Sequence, residues 1–401
     1  MPPTVTTQPP RFATADAVAR IAAAPRRTQQ PQSRADLVSL AMGEPDFDTP
    51  PLVTEAAHAS LRAGRTHYSP LLGEPALREA PAGRLAATAG APVSAADILI
   101  TQGGTAGLAA SILSLVNPGD KVVIPDPTYS LYADLVAMAG GVLDPVPLGP
   151  DLHWDLDRLA DALDDARLFV FCNPVNPTGI VHGREELSAL AELLDGTSTI
   201  VISDEAYSDL DYTGRPFTSA VSVDGLRERT VYCQTFSKSY AMTGWRVGYL
   251  WGPPPLIQAA ARVHNTFNGS VNTFVQDAAL VAVENCADDV VRMRAAYEER
   301  REIMRGELAS IPGLTLSAPE GAFYQFPRYD LDLPSADVVA ALRAHGVAVR
   351  PGSEFGARGI RACRTRPARG PSSRVSAGWP TASPPCGERR SGPEEESSHA
   401  Q

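Results

Sequence analysis

Short, continuously apolar runs bounded by turn residues recur through the middle of the chain: DILIT (97–101), DKVVIPD (120–126), RLFVFCNP (167–174), TIVISDEAY (199–207), TVYCQTFS (230–237) and RVGYLWG (246–252). None alternates apolar with polar residues, so each predicts a strand buried on both faces. Stretches between them, such as REELSALAELL (184–194), repeat apolar residues at helical spacing. Strands alternating with helices predict an α/β domain around a mostly parallel sheet, in which ligands sit beyond the carboxyl ends of the strands. From about residue 290 the pattern becomes a long charged helix, RMRAAYEERREIMRGELASI, followed by short strands near GLTLS and AFYQFP. That change predicts a second, smaller α+β domain.

Both ends differ from this body. The opening segment is rich in Pro, Gln, Thr and Arg, which predicts a mobile arm interrupted by a short helix near residues 15–24. From Gly359 onward there is one Ile, one Val, no Leu and no Phe among many Pro, Ser, Gly and Arg, so disorder is expected. The expected organisation is an arm over 1–36, a large domain over 37–289 whose N-terminal segment contributes to the small domain, a small domain over 290–358, and an atypical tail over 359–401. The abrupt loss of Leu and Val is what a reading-frame change in a GC-rich coding sequence would produce. Resequencing around codon 357 tests this, and an intact frame in independent reads rules it out.

With 401 residues the chain exceeds what a single core usually serves. A net charge of −11 argues against nucleic acid or an anionic membrane as partner, so a small anionic ligand needs a local positive pocket. No apolar run is long enough to span a bilayer, and the opening MPPTVTTQPPRF lacks the basic and apolar regions of an export signal, which predicts a cytoplasmic enzyme. Five cysteines without CxxC spacing indicate neither a disulfide framework nor a zinc site; Cys172, Cys233 and Cys286 are expected as reduced, buried thiols. The seven histidines fall in no motif and are read as structural or surface groups, so no metal is expected.

The chemistry concentrates in TFSKSYAMTGWRVG (235–248), where Lys238 and Arg246 stand eight positions apart among small, hydroxylated and apolar residues. A lysine at a buried strand end favours the neutral, nucleophilic amine and is a Schiff-base candidate. Arg246 suits bidentate capture of a phosphate. TQGGTAGL (101–108) follows a strand and opens a helix whose free N–H groups meet an anion, with Gly103 and Gly104 permitting close approach and Thr105 adding a hydroxyl. SDEAYSDL puts Asp204 at a strand end, able to hold a ring nitrogen protonated, with Tyr207 three residues on. Asn176 in NPVNPTG (173–179) offers an amide to a ring oxygen or a carboxylate. Pyridoxal 5′-phosphate is the ligand that uses all of these groups.

With GEPDFDTP, YSPLLGEPALRE, DPTYSLY and PGSEFG in order beside these motifs, the chain resembles the class I/II pyridoxal-phosphate aminotransferases of fold type I, from about Val38 to Gly356. The resemblance implies a homodimer with composite sites that moves an amino group from an L-amino acid to a 2-oxo acid by a ping-pong route. Lys238 would form the aldimine and shuttle the proton; Asp204 would pair with the pyridinium; Tyr207 and Asn176 would bond the ring O3′; and Tyr129 would stack on the ring. Gly104, Thr105, Thr235, Ser237 and Arg246 would bind the phosphate, Tyr68 would reach the phosphate of the neighbouring subunit, and Gly43 would lie against the substrate carboxylate. The carboxylate-clamping arginine is expected at Arg361, with Arg374 as the more distant alternative. Arg262, Arg292 and Arg294 are candidates for a second arginine that would serve an acidic side chain. The motif variants lean toward aspartate or aromatic substrates. Elimination or ring closure on the same fold would use the same residues, and the aberrant tail leaves open a chain that binds the cofactor with impaired turnover. Pro81 is expected to break or kink the helix that contains it.

Overall fold

The computed structural model describes residues 13–23, 37–357 and, as backbone, 360–363. Apart from the short N-terminal helix, which spans Asp16–Ala23, the rest of the expected arm, the frame change and Arg374 lie outside the described residues. Of the tail expected to be disordered from Gly359, residues 360–363 instead form a strand, because two neighbouring strands supply it with backbone hydrogen-bond partners, and the remainder lies outside the described residues.

After a short strand β1 (Val38–Ser39), seven strands build the central sheet: β2 (Ile98–Thr101), β3 (Lys121–Asp126), β4 (Val142–Pro147), β5 (Leu168–Cys172), β6 (Ile200–Asp204), β7 (Thr230–Thr235) and β8 (Gly248–Trp251). Their order is β2-β8-β7-β6-β5-β3-β4, and every ladder is parallel except the two made by β8. The runs in β2, β5, β6, β7 and β8 are buried at every position, as continuous apolar strands require.

Successive residues feed opposite layers. Leu99, Val170 and Ile202 enter the layer with the helices Gly103–Leu115 and Pro254–Asn268; Ile98, Phe169 and Val201 face the helices on the other side. The strand β4 escapes the sequence pattern because Asp144, Pro145 and Pro147 interrupt its apolar run. It is an edge strand pairing only with β3, and an edge leaves a proline's missing N–H facing away from any ladder.

Pro81 does not break its helix, which runs over Pro75–Ala89. One backbone bond is lost, but Leu77, Pro81, Ala82, Leu85 and Ala89 form a buried face against the core, and that burial outweighs it. The Asp16–Ala23 helix docks through Arg20, whose Nε donates to the Ala137 carbonyl at 2.7 Å, at the end of the helix Leu131–Ala139.

Beyond the long helix Ala287–Ala309 come six short strands, β9 (Leu314–Thr315), β10 (Tyr324–Gln325), β11 (Arg328–Tyr329), β12 (Val347–Ala348), β13 (Arg350–Pro351) and β14 (Ile360–Cys363). They pair as β10-β14-β13 and β11-β9, while β12 takes β1 as a parallel partner. Cys172, Cys233 and Cys286 are free and buried. Among the described residues, no helix is long and apolar enough to cross a membrane.

Candidate active site

Because β8 runs against its neighbours, its start at Gly248 lies at the same sheet edge as the ends of β2, β5, β6 and β7. That edge carries the site. Asp204 closes β6 with only 5% of its surface exposed. Its Oδ2 accepts from the Tyr132 hydroxyl at 2.8 Å and its Oδ1 from the Ala206 N–H at 3.3 Å. Burial pushes the carboxyl up to about 6, against the opposing pull of Tyr132, the Ala206 N–H and Lys238. Its ladder partners are Cys172 and Cys233, whose thiols burial holds well above the usual range, so the carboxylate has no charged neighbour in the sheet. Glu205 has a different role. It is buried, its Oε1 accepts from Ser203, Ser219 and the Ala220 N–H, and burial pushes it up to about 7.

β7 turns into a single helical turn, Phe236–Ser239, capped by Thr235, whose Oγ1 accepts the Ser237 N–H at 3.1 Å. The turn presents Lys238, whose Nζ donates to the Gly43 carbonyl at 2.5 Å and lies 5.9 Å from the Tyr207 ring and 5.7 Å from the Phe323 ring. Gly43 has no room for a side chain, since a Cβ there would stand 2.5 Å from the Tyr324 hydroxyl oxygen. The chain's other lysine, Lys121, lies on β3 and is bonded to Asp165 and the Asp164 carbonyl, so Lys238 is the only lysine in the cavity.

At the opposite end the helix Gly103–Leu115 presents Gly104 and Thr105 in its first turn. Thr235 and Ser237 place their hydroxyls 2.8 Å apart beside it. Arg246 adopts a left-handed backbone at φ 56°, a costly conformation for arginine, and its Nη1 donates to the Thr243 carbonyl at 2.8 Å. Gly103 makes this approach possible: its φ is +76°, and a Cβ there would lie 2.8 Å from Arg246 Nη2. Free helix N–H groups, two hydroxyls and a guanidinium form an anion pocket in an otherwise acidic protein.

The remaining wall is aromatic. The Tyr207 and Tyr324 hydroxyls are hydrogen-bonded to each other, and Asn176 Nδ2 donates to Tyr324 Oη at 3.5 Å. Tyr129 meets Tyr132 edge-on at 5.6 Å. Tyr324 and Tyr132 were not among the sequence-predicted residues. Tyr132 stands inside DPTYSLY, where a hydroxyl one helical turn past Tyr129 is the available signal. Tyr324 sits in AFYQFP, which reads only as a strand.

Together these groups enclose a cavity of about 330 Å³. Lys238, Asp204, Tyr207, Gly43, Gly104, Thr105, Tyr129, Asn176, Thr235, Ser237 and Arg246 all line it, and Gly103 stands behind Arg246. Tyr68 does not join the cavity of its own chain and is 98% exposed. Arg361 is described only as backbone, paired across the ladder with Arg350. Arg262, Arg292 and Arg294 do not line the cavity, whereas Arg350 does, with Glu354 bonded to its Nε. Arg262 and Arg292 are solvent-exposed helix residues, and Arg292 is held by Asp289 one turn away. An anion pocket at one end, a buried carboxylate at the other and an amine between them fit a ring carrying a phosphate and a basic nitrogen, so the donor set suits the expected cofactor.

Residues 35–375 match the family described as aminotransferase class I and II. A probable aspartate/prephenate aminotransferase of Aquifex aeolicus is 36% identical over 336 residues, covering 81% of this chain and 85% of that protein. Among solved structures, Thermus thermophilus aspartate aminotransferase with maleate is 34% identical with a TM-score of 0.79, covering 88% of this chain and 93% of that one. An aromatic aminotransferase from Pyrococcus horikoshii is 33% identical with a TM-score of 0.81, covering 88% and 94%. By this likeness of sequence and fold, the chain belongs to the class I and II aminotransferases, enzymes of the pyridoxal-phosphate fold type I that exchange an amino group between amino acids and oxo acids.

Proposed function

We propose that Lys238 is the base that moves the proton in this transamination and that aspartate is the preferred amino donor. Pyridoxal phosphate, when bound, supplies an aldehyde that condenses with amines and a ring that withdraws electrons from the substrate α-carbon. Everything else falls to the chain. Lys238 takes the α-proton and returns it, its reach limited by the Gly43 carbonyl that holds Nζ. Asp204, oriented by Tyr132, would hold a proton on the ring nitrogen. Tyr207 and Asn176 would bond the ring oxygen, and Tyr129 would pack on the ring. Gly104, Thr105, Thr235, Ser237 and Arg246 would hold the phosphate. Tyr68, exposed on its own chain, reaches the phosphate of a second copy, which makes the working unit a homodimer with composite sites. Residues 37–289 form the cofactor-binding body and residues 290–358 the part that closes on substrate. Arg361 clamps the substrate α-carboxylate. Three buried free thiols support a cytoplasmic setting.

The observation that carries this reading is the one cavity in which Lys238, the buried Asp204 carboxylate and the Arg246 guanidinium converge. The aspartate preference is supported by the names of the relatives and by Arg350, a second guanidinium on the cavity wall, paired with Glu354. A panel of amino acids and 2-oxo acids tests it. Aspartate with a ping-pong rate pattern is the expected best donor, and a neutral aliphatic donor with higher kcat/KM contradicts it.

Two substitutions probe the walls. Gly103→Ala forces a β-carbon onto Arg246 at a positive φ, which costs about 1–3 kcal/mol, and cofactor affinity measured by fluorescence titration falls at least about fivefold. Tyr324→Phe removes the hydroxyl shared with Tyr207 and Asn176; one neutral hydrogen bond is worth about 1 kcal/mol, so kcat/KM falls about fivefold with the fold intact.

A further inference from the structure

Away from the cavity, His153, His182 and Glu186 present three ligand atoms within 4.8 Å of one another. They come from two separate segments: the loop after β4, and the stretch that runs from the end of the loop carrying Asn176 into the first turn of the helix Arg184–Leu193. Both imidazole Nδ1 atoms approach the same carboxylate oxygen, Glu186 Oε2: His153 through a hydrogen bond of 3.0 Å, His182 at 2.8 Å. The His182 ring is 1% exposed, yet its Nδ1 makes no properly directed hydrogen bond despite that short approach. A nitrogen and an oxygen close together but off the hydrogen-bond line is the relation of two ligands on one ion, whose tetrahedral edges are about 3.3 Å for metal–ligand bonds near 2.0–2.1 Å.

The surroundings are built to hold this arrangement. Trp154 stacks on the His182 ring with centroids 4.0 Å apart and planes 22° from parallel. The Trp154 backbone N–H donates to Glu186 Oε1 at 3.0 Å, which leaves Oε2 for the two imidazoles and fixes the carboxylate from behind. The His153 backbone N–H donates to Asp151 Oδ1 at 3.1 Å, and Asp151 and Glu320 add negative charge around the cluster. His153 is about a third exposed, so a fourth position and an entry path open on its side.

We propose that His153, His182 and Glu186 form a binding site for a divalent first-row transition ion of the zinc class, which imidazole and carboxylate ligands suit. The ion ties the loop after β4 to the helix Arg184–Leu193 and to the loop end at His182. That last segment is already clasped to Asn173, whose Oδ1 accepts the His182 N–H at 3.0 Å and whose Nδ2 donates to the His182 carbonyl at 3.1 Å. The site therefore braces the loop that presents Asn176, and it does so without touching the cavity.

The test uses the full chain loaded with cofactor, stripped of metal by a chelator, dialysed and titrated with zinc by calorimetry beside His153→Ala and Glu186→Gln. His153 is partly exposed, so its variant keeps the fold even if removal of the buried His182 does not; a thermal melt in metal-free buffer checks this. The expected result is one zinc per chain, a higher Tm at saturating zinc, and affinity weakened more than about tenfold in both variants. Absence of saturable zinc binding, or undiminished binding in either variant, overturns the proposal.

Discussion

Lys238→Ala is expected to lower kcat/KM for transamination by at least about 10⁴-fold, the upper range of what a positioned proton-transfer group contributes. No other group can take over. The chain has one further lysine, Lys121, which is committed on β3 to Asp165 and the Asp164 carbonyl. Among the described residues, histidine, the usual alternative base, does not line the cavity. Steady-state assays on the purified variant measure the loss. Adding a small primary amine is expected to restore a fraction of the rate, because the void left by the side chain opens onto the cavity. A variant retaining more than about a tenth of the parent rate contradicts the assignment.

Asp204→Asn is expected to act in opposite directions on catalysis and on stability. Without its carboxylate the ring nitrogen loses the partner that keeps it protonated, and removal of one preorganised electrostatic partner costs about 10²–10³ in kcat. The cofactor-free protein responds the other way. Burial raises the Asp204 carboxyl to about 6, so the folded chain holds this proton more tightly than the unfolded chain does. Stability from this group is therefore present at acid pH and is lost as pH rises from the unfolded value near 4 through the folded value near 6. Above that window the ionised, buried carboxylate costs roughly 3 kcal/mol. Cofactor-free Asp204→Asn should accordingly melt higher than the parent at about pH 8, with the difference shrinking toward about pH 4. Glu205, pushed up to about 7 mainly by burial and in part by the Asp204 charge, contributes a slope of the same sign in both proteins, and its Asp204-dependent part adds to the difference in the same direction. Adding cofactor reverses the order at about pH 8, because only the parent offers an ion-pair partner to the ring. A cofactor-free variant that melts lower than the parent at that pH contradicts this account.

The parts of this molecule that were legible in advance share one property: their function constrains local sequence. Buried strands must be continuously apolar, so β2, β3 and β5 to β8 could be read directly. The anion pocket needs glycine where Arg246 passes Gly103, and the amine must follow a strand end, so TQGGTAGL and TFSKSY are recognisable as strings. What escaped depends on contacts between distant segments. The edge strand β4 needs only one partner and tolerates prolines that hide it. Tyr324 reaches Tyr207 across 117 positions, and Tyr132 reaches Asp204 across 72, separations that no local pattern records. The arginines considered for an acidic side chain, Arg262, Arg292 and Arg294, stand away from the cavity, whereas Arg350 arrives there through β13. The His153, His182 and Glu186 cluster escaped for the same reason, since His153 lies 33 positions from Glu186. Pro81 shows the converse: a strong local rule was overridden by packing.

The central claim is that the amine of Lys238, and no other, meets the cofactor. Borohydride reduction of the cofactor-loaded protein followed by peptide mass mapping tests it most directly, because the chain has only two lysines to distinguish. The account predicts a pyridoxyl-phosphate mass on the peptide containing Lys238 and none on the peptide containing Lys121; label on Lys121, or on neither, contradicts it.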